Sequence, residues 1–278
     1  MRHKAIPHCN ILTNALRNLL FLAGLAIMPA GFASDSAKEQ RWSEQIVDSL
    51  IVGDAVWLEA EGQRFLGIYT SDLSGKPKGA VILLHGMGVH PNWPEVIYPL
   101  RTQLPEHGWA TLAIQMPVLS NDAKLADYAP LIPEAARRIK AAESYLTKQG
   151  YDHIALIGHS LGATMGSACL ASDTPPGLMG LVTIGMGTSK LDAKLDNLSH
   201  LEKISVPVFD LYGSRDLDAV RDSATARAKA ARSAGNTNYR QQEVEGADHF
   251  FVGLDDELVR GVRGWLDHLL DSTTQPAP

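Results

Sequence analysis

Six short strand-like runs separated by loops and helical patterns span residues 80–244, and that rhythm constrains the fold more than any other feature of the chain. The runs are AVILL at 80–84, WATLAI at 109–114, then 154–157, 178–184, 206–212 and 239–244. Most are apolar throughout rather than alternating, which marks parallel strands buried on both faces. Between them, Ile97, Leu100 and Leu104 share one helical face, and residues 133–148 carry a stripe of Ala135, Ile139, Ala142 and Leu146. Pro133 suits the first turn of that second helix and Gly150 falls just past its end. Further helices are expected over 160–171, 217–234 and 255–270. Ahead of the rhythm, DAVWLEAEGQRFLGIYT reads as two strands about a turn at Glu61–Gly62. The expected fold class is therefore α/β: one doubly wound, mostly parallel sheet with an antiparallel N-terminal hairpin and at most a small cap.

The two ends of the chain read differently. Arg2, Lys4 and Arg17 precede an apolar stretch from Leu19 to Ala33, and no acid interrupts it. A basic start, a short apolar run and small residues (Gly31, Ala33) before a polar segment predict a secretory signal over 1–33, cleaved near Ala33. Residues 34–53 form an N-terminal segment, 54–270 the main domain and 271–278 a loose tail. Losing the signal lowers Lys plus Arg from 25 to 22 against 31 acids, which moves the net charge from −6 to −9. Such a surface attracts neither nucleic acid nor an anionic membrane. Cys9 leaves with the signal, so the remaining Cys169, in an alanine-rich apolar run, has no internal disulfide partner. No run in the body of the chain is long enough to span a bilayer.

The stretch HIALIGHSLGATMG places Ser160 between two glycines at the junction of a strand and a helix. So tight a turn strains the middle residue and presses its flanks against neighbouring backbone, which is why Gly158 and Gly162 lack side chains. It lifts one hydroxyl clear of the sheet, where the following helix aims free N–H groups. A serine hydroxyl needs a base, and the base an orienting carboxylate. In a doubly wound sheet both belong at the carboxyl ends of later strands. GSRD supplies Asp216 after VPVFDLY, and GADHFF supplies His249 after YRQQEVE. Asp218 is an alternative orienting acid, while Asp210 lies within a strand and Asp248 points elsewhere. An oxyanion hole is expected from the backbone N–H groups of Met87, in the HGMG turn after the first apolar run, and of Leu161. His85 is expected to brace that turn by hydrogen bonds.

With these motifs in place, residues 54–270 resemble the α/β-hydrolase superfamily: HGMG its oxyanion loop, GHSLG its elbow, GSRD its acid turn and GADHFF its histidine loop. The secretory start makes the chain similar to exported α/β-hydrolase-like families of Gram-negative bacteria. The resemblance implies an eight-stranded sheet and esterase-type chemistry. The interval Gly185–Ser205 is too short for a full helical cap, so a shallow site is expected, with residues 117–130 as a second cover and Trp93 and Met186 as wall residues.

The function expected is a periplasmic serine hydrolase that cleaves a small-molecule carboxylic ester or thioester through an acyl-enzyme. Acyl transfer to an alcohol on the same fold, or a binding protein that keeps the fold, are the alternatives. The histidines show no HExxH or Cys-x-x-Cys spacing, so no metal or organic cofactor is expected.

Overall fold

The computed structural model describes Met1 and residues 34–274. The expected signal segment and its cleavage point lie outside the described residues, as does the end of the expected tail.

The hairpin forms as its turn chemistry dictates. Strands β1 (Asp54–Ala60) and β2 (Gln63–Thr70) pair antiparallel, with Ala60 opposite Gln63. The two turn residues, Glu61 and Gly62, both have positive φ, the combination whose twist matches a two-residue hairpin. Six strands follow: β3 (Gly79–Leu84), β4 (Trp109–Ile114), β5 (Ile154–His159), β6 (Leu178–Ile184), β7 (Val208–Gly213) and β8 (Tyr239–Val244). The sheet order is β1-β2-β4-β3-β5-β6-β7-β8, parallel from β4 to β8.

Helices cover both faces, as the apolar runs require. The layers are built from α1 (Ser36–Ser49), α2 (Ile97–Gln103), α3 (Ile132–Lys148), α4 (Leu161–Ser172), α5 (Asn197–Leu201), α6 (Asp218–Arg221), α7 (Ala224–Ser233) and α8 (Asp255–Thr274). Within β3, Ala80, Ile82 and Leu84 join the layer under α3, α4 and α7, while Val81 and Leu83 join the layer under α1, α2 and α8. One apolar strand thus feeds two cores, at about 1.5–3 kcal/mol for each large side chain buried. None of the described helices is long and apolar enough to cross a membrane.

Helix α1 is fastened by charge. Arg138 of α3 pairs with Glu39 at 2.9 Å and with Glu134 at 2.5 Å, and donates to the Gln115 carbonyl at 2.9 Å. Glu39 also accepts from the Val118 N–H at 3.1 Å. Burial raises the Glu39 pKa, with the Arg138 cation opposing the rise.

Two sequence expectations need correction. The single helix expected over 217–234 is two helices, α6 and α7, broken at Asp222–Ser223. The break leaves the Val220 carbonyl to accept from the Arg227 guanidinium at 2.7 Å, and the Ser223 hydroxyl accepts from it at 2.6 Å. The last helix runs on to Thr274 instead of ending at Leu270.

The Arg227 guanidinium is also the counter-ion of Asp210 in β7, at 2.7 Å, with both side chains fully buried. Asp210 further accepts from Tyr239 at 2.6 Å and Gln241 at 2.8 Å. Removing one partner strands a buried charge. Arg227→Ala should therefore lower the unfolding free energy by about 3–5 kcal/mol, read from urea denaturation followed by tryptophan fluorescence.

Candidate active site

The site lies where the strand order reverses. Strand β3 has β4 on one side and β5 on the other, so the loops leaving β3 and β5 diverge and open a crevice at their carboxyl ends. Ser160 occupies the elbow between β5 and α4 with φ 55° and ψ −118°, a conformation that costs a side-chain-bearing residue about 1–3 kcal/mol. The flanks make it possible. A Cβ on Gly158 would strike the backbone of Ala163, and one on Gly162 would strike the carbonyl oxygens of Leu84 and His85 at the end of β3.

Asp216 and His249 come from the turns after β7 and β8. The Asp216 carboxylate is buried; its Oδ1 accepts from the Leu217 N–H at 2.7 Å and lies 2.6 Å from His249 Nδ1. A carboxylate only accepts, so Nδ1 carries the ring proton and Nε2 is left as an acceptor. Nε2 stands 3.0 Å from Ser160 Oγ. The three side chains singled out in the sequence are thus joined in one hydrogen-bonded row. The competing acids are elsewhere: Asp218 pairs with Arg221 on the surface at 2.5 Å, and Asp248 accepts from the Phe250 and Val252 N–H groups.

The histidine turn has its own device. Phe251 has φ 57°, which turns its ring into the core and leaves Phe250 and Val252 exposed. Behind it, His159 Nε2–H donates to the His249 carbonyl at 2.9 Å. Burial lowers the His159 pKa to about 4, so this ring is a neutral brace for the His249 backbone. Sequence reasoning placed His159 in the elbow but missed this contact; the signal for it was only the adjacency of a histidine to Ser160.

Met87 and Leu161 stand at the remaining side. Leu161 is the first residue of α4, so its N–H has no acceptor within the helix. Met87 follows Gly86 in the loop after β3, and Met87 and Leu161 both line the cavity that holds Ser160 and His249. His85 braces that loop. Its Nε2 accepts from the Met116 N–H at 2.9 Å and from the Gln115 amide at 3.0 Å, leaving Nδ1–H to donate to the Gly86 carbonyl at 2.9 Å. Full burial lowers its pKa to about 3.

The cavity measures about 190 Å³, with Leu125, Leu195, Leu217 and Val220 among its apolar walls and Thr164 and Asn197 as polar ones. Leu125 comes from the 117–130 stretch, the second cover expected from the sequence. The 185–205 interval holds only a short 3₁₀ turn (Ala193–Leu195) and α5, and no full cap. Two expected wall residues are not walls. Trp93 is half-buried in the α1/α2/α8 layer with its ring against His90, because its backbone N–H donates to the His90 carbonyl and folds the loop back. Met186 is fully buried in the opposite layer; Gly185, at φ 60°, turns the chain so that Gly185 and Gly187 face the cavity and the methionine faces the core.

The architecture is the α/β-hydrolase fold. The chain belongs to the family described as Protein of unknown function (DUF3530), whose model matches residues 29–137 and 131–268. No curated protein matches the chain. Among solved structures, a protein of unknown function from Agrobacterium tumefaciens is 20% identical with a TM-score of 0.62, covering 81% of this chain and 100% of that one. The Pyrococcus furiosus esterase PF2001 is 16% identical with a TM-score of 0.63, covering 80% and 93%. Est1E from Butyrivibrio proteoclasticus, with ferulic acid bound, is 17% identical with a TM-score of 0.62, covering 78% and 100%.

The two buried rings give the site a pH signature. The unfolded chain binds protons at each near pH 6.5, whereas the folded pKa values are about 4 for His159 and about 3 for His85. Their contribution to stability is complete above about pH 6.5 and is lost as pH falls toward those values. Urea midpoints at pH 7, 5.5 and 4.5 should fall in that order, and His85→Asn, which cannot acquire the charge, should show a shallower slope.

Proposed function

We propose that the chain is a serine hydrolase that cleaves a carboxylic ester or thioester through an acyl-enzyme. The observation that carries this reading is the unbroken row from Asp216 Oδ1 through His249 to Ser160 Oγ, at 2.6 and 3.0 Å, opening on an apolar cavity. Ser160 Oγ attacks the carbonyl carbon while His249 Nε2 takes its proton. The N–H groups of Met87 and Leu161 receive the oxyanion. His249 then returns the proton to the departing alcohol or thiol. In the second half, His249 deprotonates water, which attacks the acyl carbon and frees Ser160. Asp216 keeps Nδ1 protonated and stabilises the imidazolium as it forms.

The cavity is small beside pockets of about 300–1,000 Å³ that take drug-sized ligands, which favours a short acyl group. Its rim is apolar and wet: Met87 is 45% exposed and Leu217 56%. An uncharged leaving group suits such a rim. The N-terminal 33 residues support export to the periplasm, where the acyl acceptor would be water. The esterase names of neighbours on this fold, the Pyrococcus enzyme and Est1E, agree with the reading.

The wild-type protein should label with a fluorophosphonate and turn over nitrophenyl acetate or butyrate faster than the decanoate. Ser160→Ala should abolish labelling, and Asp216→Asn should lower kcat about 10⁴-fold. Absence of both labelling and turnover in the wild type would overturn the reading. New esters formed on adding alcohols would mark acyl transfer instead.

A further inference from the structure

A second and larger cavity, about 660 Å³ against about 190 Å³ for the first, lies between α3, α4 and α5. Its floor is apolar, from Ile132, Pro133 and Ala136 of α3 and Ala168 and Ala171 of α4. Its charges have one sign. Arg137, Lys140, Lys194 and Lys203 line it and no carboxylate does, although the whole chain carries a net charge of −6. Arg137 and Lys140 are shared with Glu61 and Asp173 in exposed pairs at 2.9 and 2.5 Å, of the kind worth about 0–1 kcal/mol. Lys194 and Lys203 have no ion pair among the described residues.

His200 supplies a separate pointer to a ligand. It lines the groove yet is only 7% exposed. Asn197 spends its amide N–H groups on Thr164 Oγ1 at 2.9 Å and the Gly187 carbonyl at 2.7 Å, so its Oδ1 accepts from His200 Nδ1–H at 3.2 Å. Among the described residues, His200 Nε2 makes no hydrogen bond. The same short segment therefore walls both cavities: Leu195 and Asn197 face the catalytic one, and Lys194, Ser199 and His200 face the groove.

We infer that this groove is a binding site for a single-chain anionic amphiphile, its tail on the alanine floor and its phosphate or carboxylate head between Lys194, Lys203 and His200. Uncompensated cations beside an apolar trough match that chemistry: the tail is removed from water and the head gains charge-assisted hydrogen bonds. A fully polar anion leaves the floor unused, and a neutral lipid leaves the cations unmet. The inference is independent of the reaction proposed for Ser160.

The test is calorimetric titration of the full chain with monomeric dodecyl phosphate at low salt. One saturable site is expected. Lys194→Glu/Lys203→Glu should weaken it at least tenfold without moving the thermal midpoint, Lys194→Arg/Lys203→Arg should keep it, and Ala171→Leu should weaken it by filling the floor. Inorganic phosphate and uncharged dodecyl maltoside should each bind at least tenfold more weakly. Equal binding by the Glu double variant overturns the inference, since the ligand then sits elsewhere, for example in the catalytic cavity. Maltoside or inorganic phosphate binding as tightly as dodecyl phosphate overturns it as well. So does sedimentation with anionic phospholipid vesicles in the absence of binding to the monomeric amphiphile, which would make the partner a membrane surface.

Discussion

The contact on which the site depends is backbone against backbone. The start of α4 sits so close to the end of β3 that Gly162 rests on the carbonyls of Leu84 and His85, with no room for a Cβ. That approach holds Ser160 at positive φ, sets the N-terminus of α4 beside the loop after β3, and brings the Leu161 and Met87 positions to one cavity. A larger residue at either glycine would push the two loops apart and relax the serine toward an ordinary helix start. Strain at one residue is sustained because the strands on either side are fully buried and hydrogen-bonded.

The other two members of the row arrive by a different route. Strands β7 and β8 deliver Asp216 and His249 through short turns, and the register of those strands is held from beneath by the Asp210–Arg227–Tyr239 cluster. Above it, neutral buried rings do the positioning. His85 ties the loop after β3 to the chain leaving β4, and His159 ties the elbow to the His249 backbone. Burial makes these rings poor proton acceptors, so they brace the loops as neutral groups.

Around this frame the surface divides by chemistry. The mouth of the cavity at Ser160 is apolar, while the groove behind α5 combines an alanine floor with cations on a chain that is acidic overall. Asn197 stands between the two, bonded to Thr164 on one side and to His200 on the other. A ligand in the groove and an acyl group in the cavity would touch opposite sides of one short wall.

What the amino-acid sequence determined by itself is whatever depends on local order. Apolar strands, the Glu61–Gly62 turn, the stripe of α3 and the glycines around Ser160 are written in neighbouring residues, because period and turn chemistry act over a few positions. The order of Ser160, Asp216 and His249 was legible for the same reason: each follows a strand in a recognisable turn. Tertiary structure alone decided what packing decides. It broke the helix at Asp222–Ser223 to satisfy Arg227, drew Trp93 and Met186 into the cores, and set His159 against the His249 carbonyl. Leu125, Val220 and Asn197 became cavity walls in the same way. Those outcomes turn on which distant side chains meet across the sheet, and no short stretch of sequence records them.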